Sequence, residues 1–148
     1  MNLSNNIEFA KLAEGTKRLH NGNHAPYDCP AGYTTIGYGR NIQTNGISEN
    51  EAERMLMNDL TGCVALLERN VKFWEKHNDA RQSVLIDMCF NMGWGKLSQF
   101  KKMFAALERE DYAEAAVQMK DSKWYRDVGR RADTLIESMR TGVWQSYK

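Results

Sequence analysis

The sequence lacks the residue patterns that several protein classes require. Its 148 residues include only three cysteines, an odd number at irregular spacing, and no Cys-x-x-Cys pair. This argues against a disulfide framework, a zinc site and thioredoxin-type chemistry, so we predict free thiols. His20 and His24 lie in a predicted turn and His77 has no companion at ligand spacing, so we expect neither a metal nor any other cofactor. The cysteines are Cys29, Cys63 and Cys89, and the histidines are His20, His24 and His77.

The chain also lacks an excess of either charge and any long apolar run. Its 20 basic and 19 acidic residues give a formal net charge of +1, which argues against long-range attraction to nucleic acid or an anionic membrane. No run approaches the ~18 apolar residues of a membrane span, and the first six residues lack the blocks of a signal peptide. We therefore expect a soluble monomer with no nucleic-acid partner and no stable membrane association.

What is present begins with a short helix that ends at a carboxylate. Apolar residues between Ser4 and Ala13 recur at helical spacing, and Gly15 suits the left-handed stop that ends a helix. Glu14 therefore lies at a helix exit. Taken alone, a glutamate in this place is most often a surface carboxylate.

A small sheet is predicted after this helix. Asn21-Gly22 lies inside the segment 16–26, and Asn-Gly favours a tight hairpin turn. The stretch from Tyr33 to Tyr38 is rich in β-branched and aromatic residues, and Asn45-Gly46 marks another turn. We therefore predict two or three short antiparallel strands.

The rest of the chain is typical of helices. Ser48-Glu49-Asn50-Glu51 is a capping box that predicts a helix of about twenty residues, long enough to connect two lobes. From Asn78 onward, apolar stripes predict further helices, with ends at Gly93 and Gly142 and an N-cap at Ser98. The sequence thus predicts one α+β domain over 1–148. It would have a mixed lobe over about 14–60 and a larger all-helical lobe over 61–148 together with 1–13.

The candidate chemistry lies around Glu14. Serine-hydrolase and P-loop signatures are absent. The segment from Tyr27 to Arg40 carries Cys29 and Thr35, whose side chains could face the Glu14 carboxyl group. Two groups with separate acid and base roles suit hydrolysis of a glycosidic bond. One protonates the leaving oxygen, while the other directs water or attacks the anomeric carbon.

Motifs along nearly the whole chain resemble those of one family, the lysozymes, or endolysins, of bacteriophages, and within it the T-even phage type. Several separate motifs in the right order are more specific than any one of them. The motifs are Glu14-Gly15, Gly32 with Thr35-Ile36-Gly37-Tyr38-Gly39, Phe90-Asn91-Met92-Gly93, Lys123-Trp124-Tyr125, Arg131-Ala132 and the ending from Arg140 to Lys148.

The resemblance implies a two-lobed, lysozyme-like α+β fold and a glycoside hydrolase. Such an enzyme cuts peptidoglycan at the β-1,4 bond between N-acetylmuramic acid and N-acetylglucosamine and lyses bacterial cells. The resemblance assigns the general acid to Glu14 and places Thr35 near the attacking water or the anomeric carbon. It also implies that Arg131 orients Glu14 and that Phe90 and Gln118 contact sugars.

The chain departs from the family pattern at two points. Where the family has its usual acidic partner, six residues before the threonine, this sequence has Cys29. A neighbouring carboxylate would raise the pKa of that thiol unless a backbone donor or Arg131 intervenes. The second departure is length, because 14 residues, 15 to 28, separate Glu14 from Cys29, against about eight in the family. The extra residues lengthen the hairpin tip between His20 and His24.

Asp28 is the alternative to Cys29 as partner of Glu14. Neighbours on an extended segment point to opposite faces, so both side chains cannot enter one cleft unless the chain turns sharply. We favour Cys29 and keep Asp28 open. The missing carboxylate also keeps open a catalytically weak wall-binding homologue and a lytic transglycosylase, which needs only an acid. As a phage-type enzyme without a signal peptide, the protein is expected to be made in the host cytoplasm. It would act on the periplasmic wall after the membrane is permeabilised.

Overall fold

The computed structural model of the protein describes residues 1–147. The chain divides into an N-terminal unit, Met1–Glu53, and a C-terminal unit that starts at Arg54, and each is described by itself. The first contains short antiparallel strands and the second is helical, so the predicted α+β class is confirmed. The lobe boundaries predicted from the sequence, and the grouping of residues 1–13 with the helical lobe, stay predictions.

The N-terminal unit begins with helix α1 (Ser4–Ala13), as predicted, and continues into five short strands. Helix α1 ends because Glu14 has extended backbone angles, φ −80° and ψ 133°, while its N–H still donates to the Ala10 carbonyl. The strands form two antiparallel sheets, ordered β1-β2 and β3-β4-β5. They are β1 (Lys17–Arg18), β2 (His24–Ala25), β3 (Tyr27–Asp28), β4 (Thr34–Ile36) and β5 (Arg40–Asn41).

The predicted hairpin around Asn21-Gly22 is confirmed by the pairing of β1 with β2. Lys17 lies opposite Ala25, and Gly22 at the tip has a left-handed φ of 90°. The sequence did not predict the short helix α2 (Ile42–Asn45) that follows β5. Its start is capped by the Asn41 side chain, which accepts a hydrogen bond from the Thr44 N–H at 3.1 Å.

Helix α3 (Glu49–Asn70) starts at the predicted capping box, near the end of the N-terminal unit, and continues into the C-terminal unit. The Ser48 N–H donates to Glu51 Oε2 at 2.7 Å, and the Glu51 N–H donates to Ser48 Oγ at 3.2 Å. Arg40 adds a two-pronged ion pair with Glu51, at 2.7 and 2.9 Å. Hydrogen bonding from Arg40 and from the Ser48 N–H lowers the pKa of the Glu51 carboxyl group to about 2.

The C-terminal unit is built from helices around one apolar core. The predicted ends at Gly93 and Gly142 are confirmed, since both are helix C-caps with positive φ. The core includes Leu67, Leu85, Met88, Met119 and Met139, none of which is exposed. After α3 and a 3₁₀ turn (Trp74–Lys76), the helices are α4 (Asp79–Met92), α5 (Trp94–Leu97), α6 (Lys101–Glu108), α7 (Tyr112–Lys120), α8 (Lys123–Val128) and α9 (Arg130–Thr141).

Arg81 of α4 ties the end of α9 to the rest of this unit. Its Nε donates to the Met139 carbonyl at 2.9 Å and its Nη2 to the Arg140 carbonyl at 3.3 Å. Its guanidinium carbon lies 3.6 Å from the ring centroid of Tyr112 on α7. A Cβ at Gly142 would lie 2.9 Å from that same carbon, so a side chain there would displace the guanidinium.

The predicted N-cap at Ser98 is wrong. Ser98 is instead the C-cap of α5, and its hydroxyl donates to the Gly95 carbonyl at 2.9 Å. Helix α6 begins three residues later, after Phe100, without a side-chain cap. The hydroxyl is occupied by the preceding turn, which is a local competitor that a search for N-caps does not detect. Among residues 1–147, no helix combines the length and the apolar character needed to cross a membrane.

Candidate active site

Glu14 lies where α1 ends, and its carboxylate packs against the backbone of the turn between β4 and β5. A Cβ added at Gly39 would lie 3.1 Å from Glu14 Cδ and 3.2 and 3.3 Å from its two carboxylate oxygens. Gly39 also has a left-handed φ of 94°, which favours glycine, and a Cβ there would crowd the Glu14 carboxylate. The side chain remains exposed to solvent. The end of the helix and the glycine turn therefore present an accessible carboxylate beside the sheet.

Cys29 and Thr35 are brought together by the turn between β3 and β4. The Cys29 N–H donates to the Tyr33 carbonyl at 3.0 Å, and the Gly32 N–H returns to the Cys29 carbonyl at 2.8 Å. Thr35 lies at the centre of β4, opposite Tyr27 on one side and Asn41 on the other. It is 2% exposed, and its hydroxyl donates to the Tyr33 carbonyl at 2.9 Å. The sheet thus holds Thr35 rigidly beside a half-buried thiol.

The turn makes Cys29 a better acid than an ordinary thiol. A hydrogen bond from the Tyr33 backbone lowers the pKa of the Cys29 thiol, and the Ala31 backbone and the Thr35 side chain add to this effect against a smaller cost of burial. Of the two groups that could offset a neighbouring carboxylate, a backbone donor or Arg131, the structure shows the backbone donor. Asp28, the alternative partner, is an exposed residue of β3 opposite Thr34. The side chain that contacts Thr35 is therefore that of Cys29 and not that of Asp28.

Arg131 lies at the start of α9, where it pairs with Asp87 of α4. Its Nε and Nη2 donate to the two carboxylate oxygens of Asp87 at 3.0 and 2.7 Å. This hydrogen bonding raises the pKa of the Arg131 guanidinium. The pair forms one side of a cavity of about 280 Å³, which the rings of Trp144 and Tyr147 also line. The expectation that Arg131 orients Glu14 stays a prediction, since the partner that the structure records is Asp87.

The two predicted sugar-contacting residues lie on separate helices of the C-terminal unit. Phe90 is on α4, one turn after Asp87, and is 40% exposed, which is unusual for a large apolar side chain within this helix. Gln118 is half-buried on α7, and its amide donates to Glu114 Oε1 at 2.6 Å. Gln118 lines a second cavity, of about 360 Å³, together with Phe100 and Asp121. Their sugar contacts stay predictions.

Sequence reasoning missed two polar residues of α4. Asp87 was not predicted as a partner of Arg131, and Asn91, whose Oδ1 accepts from Trp124 Nε1 at 3.2 Å, was not singled out for any contact. Both lie within one turn of Phe90, on the same helix. No local pattern in the sequence marks either residue, because their partners Arg131 and Trp124 lie 44 and 33 positions away along the chain. Within residues 1–147, no group of three potential ligand side chains is placed to hold a metal.

A unit of small antiparallel sheets followed by a helical unit, with a carboxylate at a helix end, defines a lysozyme-like α+β protein. The sequence model of the phage lysozyme family matches residues 17–140, and the chain belongs to that family. The match starts after Glu14, so it covers Cys29, Thr35 and Arg131 but not the candidate acid.

Similarity to individual proteins is consistent with membership of this family. The chain is 30% identical over 105 residues to probable T4-type lysozyme 2 of Dictyostelium discoideum, an alignment that covers 69% of this chain and 62% of that protein. It is 31% identical over 118 residues to the pre-baseplate central spike protein Gp5 of Enterobacteria phage T4, covering 74% of this chain and 20% of that protein. The chain therefore spans less than two thirds of the length of these relatives.

Proposed function

We propose that the protein is a muramidase that hydrolyses the β-1,4 bond between N-acetylmuramic acid and N-acetylglucosamine in bacterial peptidoglycan. The observation that carries this proposal is the Glu14 carboxylate, held at a helix end against the Gly39 backbone, in the unit that also holds Cys29 against Thr35. Membership of the phage lysozyme family supports the same reaction class.

Glu14 is the proposed general acid. Protonated, it would give its proton to the glycosidic oxygen as the bond to the anomeric carbon breaks, so that the leaving sugar departs as a neutral alcohol. The carboxyl group lies beside Gly39 and is exposed to solvent, so a bound sugar can approach it. Proton transfer needs this donor within hydrogen-bond reach of the oxygen.

Cys29 and Thr35 are proposed to act at the anomeric carbon, where water or the thiolate attacks. The lowered pKa of Cys29 increases the thiolate fraction near neutral pH, and this anion can accept a proton from water or attack the anomeric carbon. Thr35 is fixed by β4 and by its bond to the Tyr33 carbonyl, so its oxygen is a fixed acceptor for a positioned water. The thiol thus takes the place in which the family usually has a carboxylate.

The products of peptidoglycan digestion test the reaction. A muramidase leaves reducing ends, a lytic transglycosylase leaves anhydro ends, and a wall-binding homologue leaves the glycan intact, and mass spectrometry separates the three. We expect reducing ends from the parent and a loss of at least ~10²-fold in their release by Glu14→Gln, which keeps the shape and removes the transferable proton. A Glu14→Gln variant within tenfold of the parent would contradict the assignment of the acid.

A set of three variants tests the partner residue. We expect Cys29→Asp to stay active because it restores an anionic group, Cys29→Ala to lose much of the activity, and Asp28→Asn to be nearly neutral. Alkylation should inactivate the parent, whereas the buried thiols of Cys63 and Cys89 should react slowly. The reverse result, with an inactive Asp28→Asn and an active Cys29→Ala, would place the partner one residue earlier.

We further propose that peptidoglycan is the protein's partner, that the protein acts as a monomer, and that it reaches the periplasmic wall from the host cytoplasm once the membrane is permeabilised. Lysis of cells from outside, with and without a permeabilising agent, tests this route. Lysis that does not depend on the agent would contradict it.

A further inference from the structure

A further cavity of the C-terminal unit, of about 320 Å³, has no role in the proposed reaction. It lies where the end of α3 meets α5 and α6, and neither Phe90 nor Gln118 lines it. Lys101 is the one residue that it shares with the cavity around Gln118. Its volume lies in the range of roughly 300–1,000 Å³ that small-molecule sites occupy. We refer to it as the aromatic cavity, because Trp94 and Phe104 line it.

The two aromatic rings form the apolar side of this cavity. Trp94 on α5 and Phe104 on α6 have ring centroids 5.8 Å apart, with their planes at 62° to each other. Both side chains are half-buried and pack against the apolar core of the unit. The core therefore holds each ring in place, while the rest of its surface is accessible from the cavity. Rings of this kind provide much of the contact area in binding sites.

Polar groups beside the rings have hydrogen-bonding capacity left for a ligand. Asn70 Nδ2 donates to the Leu66 carbonyl at 2.7 Å, which fixes the amide and leaves Oδ1 able to accept. The Ser98 hydroxyl donates to the Gly95 carbonyl at 2.9 Å, so its oxygen can also accept. The indole N–H of Trp94 has no hydrogen-bond partner within residues 1–147. The cavity thus offers two fixed acceptors and one donor next to an aromatic surface.

The charges at the rim of the cavity largely offset each other. Lys72 Nζ lies 3.5 Å from Glu108 Oε1, and both side chains are exposed. Lys101, also exposed, belongs to none of the six ion pairs found within residues 1–147. Because exposed charges are screened by salt and contribute little, these groups do not by themselves select an anion. The cavity therefore suits a ligand that combines an apolar face with hydroxyl and amide groups.

We propose that the aromatic cavity binds an N-acetylated sugar ring of the peptidoglycan glycan, as a second glycan site of the protein. This rests on the proposed function. The C–H groups on one face of a pyranose ring can pack against Trp94, because the face of an aromatic ring carries negative charge. The sugar hydroxyl and acetamido groups can donate to Asn70 Oδ1 and Ser98 Oγ and accept from the Trp94 indole N–H. The volume suits about one or two sugar rings.

A second glycan site has its largest effect on a polymer. When one strand or network is bound at two places, the second binding event becomes intramolecular and the overall affinity rises. Binding to insoluble peptidoglycan should therefore gain from the aromatic cavity. A short soluble fragment, which occupies one site at a time, should gain nothing.

A titration of Glu14→Gln with the N-acetylglucosamine tetramer, followed by NMR, locates the site in a protein that is expected not to cleave the probe. The backbone amides of Ser98 and Ala105 and the indole N–H of Trp94 should shift together as the tetramer is added. The amide of Ala113, an exposed residue of α7 outside the cavity, should not shift. Sodium acetate at matched ionic strength is the control for a simple anion site.

A variant that fills the cavity tests its effect on binding. Ala105 is exposed on α6 and lines the cavity, so Ala105→Gln blocks the space without removing any packed side chain. In the Glu14→Gln background it should reduce retention on insoluble peptidoglycan about fivefold. In the parent background it should lower release of reducing ends from insoluble peptidoglycan by a similar factor relative to release from a soluble tetrasaccharide. Ala113→Gln is the matched control and should behave as the parent.

Variants of Trp94 separate stacking from hydrogen bonding. Trp94→Phe keeps a ring and removes the indole N–H, so it should retain part of the binding to peptidoglycan, whereas Trp94→Ala should lose the most. The melting temperature of each variant shows how much of the loss is structural. Because Trp94→Ala also removes packing against the core, Ala105→Gln decides between lost binding and lost structure.

The outcomes are distinct. Absence of reducing ends from both substrates contradicts the proposed function, while shifts at Trp94, Ser98 and Ala105 with the tetramer would still support the sugar site. Shifts confined to residues outside the aromatic cavity overturn the inference, as does equal retention of the Ala105→Gln and Ala113→Gln proteins on peptidoglycan. A response of the cavity residues to acetate but not to the tetramer would indicate an anion site around Lys101 and overturn the assignment to a sugar.

Discussion

The N-terminal unit and the C-terminal unit are stabilised by different kinds of interaction. Within residues 1–53, only Ala25 and Thr35 are buried, and the unit is held by short strand pairs, turns and the capping box. The C-terminal unit contains a continuous apolar cluster that runs from Cys63 to Met139. The candidate catalytic residues that backbone turns position, Glu14, Cys29 and Thr35, therefore lie in the unit that has almost no buried core.

The difference separates the residues that affect stability from those that affect chemistry. Buried apolar surface contributes about 25 cal/mol per Å², whereas an intramolecular hydrogen bond contributes on the order of 1 kcal/mol net. Substitutions in the cluster should therefore change the free energy of unfolding, and substitutions in the N-terminal turns should change activity more than stability. Three predictions test this division.

The largest effect is expected in the core of the C-terminal unit. Leu85 is fully buried on α4, so Leu85→Ala should lower the free energy of unfolding by about 2–5 kcal/mol, through lost burial and the cavity that remains. Urea denaturation followed by circular dichroism measures this. Val117→Ala, on α7 at a side chain that is 56% exposed, is the matched control and should cost less than about 0.5 kcal/mol. Equal costs for the two variants would contradict a core-dominated unit.

The second prediction concerns the glycine that contacts Glu14. Gly39→Ala and Gly46→Ala both place a side chain at a left-handed φ, of 94° and 62°, and each should cost roughly 1–2 kcal/mol of stability. Only the Cβ at Gly39 meets the Glu14 carboxylate, whereas the space at Gly46 is open. Displacement of the acid should reduce kcat by about 10²-fold in Gly39→Ala alone. Similar kcat values for the two variants would show that the contact does not position Glu14.

The smallest effect is a pH dependence at His77, a polar group buried in the C-terminal unit. Burial lowers the pKa of the His77 imidazole, and Arg81 lowers it further, against opposing contributions from Glu110 and the Lys72 backbone. The ring also bonds the Tyr112 hydroxyl at 2.9 Å. Between the lowered folded pKa and the unfolded value of about 6.5, the unfolded chain binds more protons. Stability contributed by neutral His77 is therefore present above about pH 6.5 and is lost as the pH falls through the folded pKa.

Thermal unfolding at a series of pH values between about 5 and 8 tests this dependence. The parent should lose stability on acidification more steeply than His77→Gln, and His20→Gln, at an exposed histidine, should keep the parent's slope. Parallel slopes for the parent and His77→Gln would contradict the role of burial.

Local signals in the sequence predicted much of the fold. The capping box at Ser48, the hairpin at Gly22 and the helix ends at Gly93 and Gly142 depend on residues that are close together in the chain, and all four are confirmed. The errors also have local causes. Ser98 bonds backward to α5 instead of forward to α6, and the four-residue helix α2 is too short to show an apolar period.

Local signals in the sequence predicted less of the candidate site than of the fold. Spacing along the chain was sufficient to propose Cys29 with Thr35, because a short turn joins their strands. The Arg131–Asp87 pair joins residues 44 positions apart, and no local pattern distinguishes it from an ordinary surface charge on each helix. The lowered pKa of Cys29 likewise depends on the direction of backbone N–H groups in a turn, which residue types alone do not specify.

Arg81 has a consequence for the time course of unfolding. Its hydrogen bonds to the end of α9 join residues 58 and 59 positions apart. Contacts that close long loops cost the most chain entropy and tend to form after the local ones. If this tie forms after the rate-limiting step, its loss speeds unfolding and leaves the folding rate unchanged. Arg81 would then slow the unfolding of the helical unit without changing the rate at which it folds.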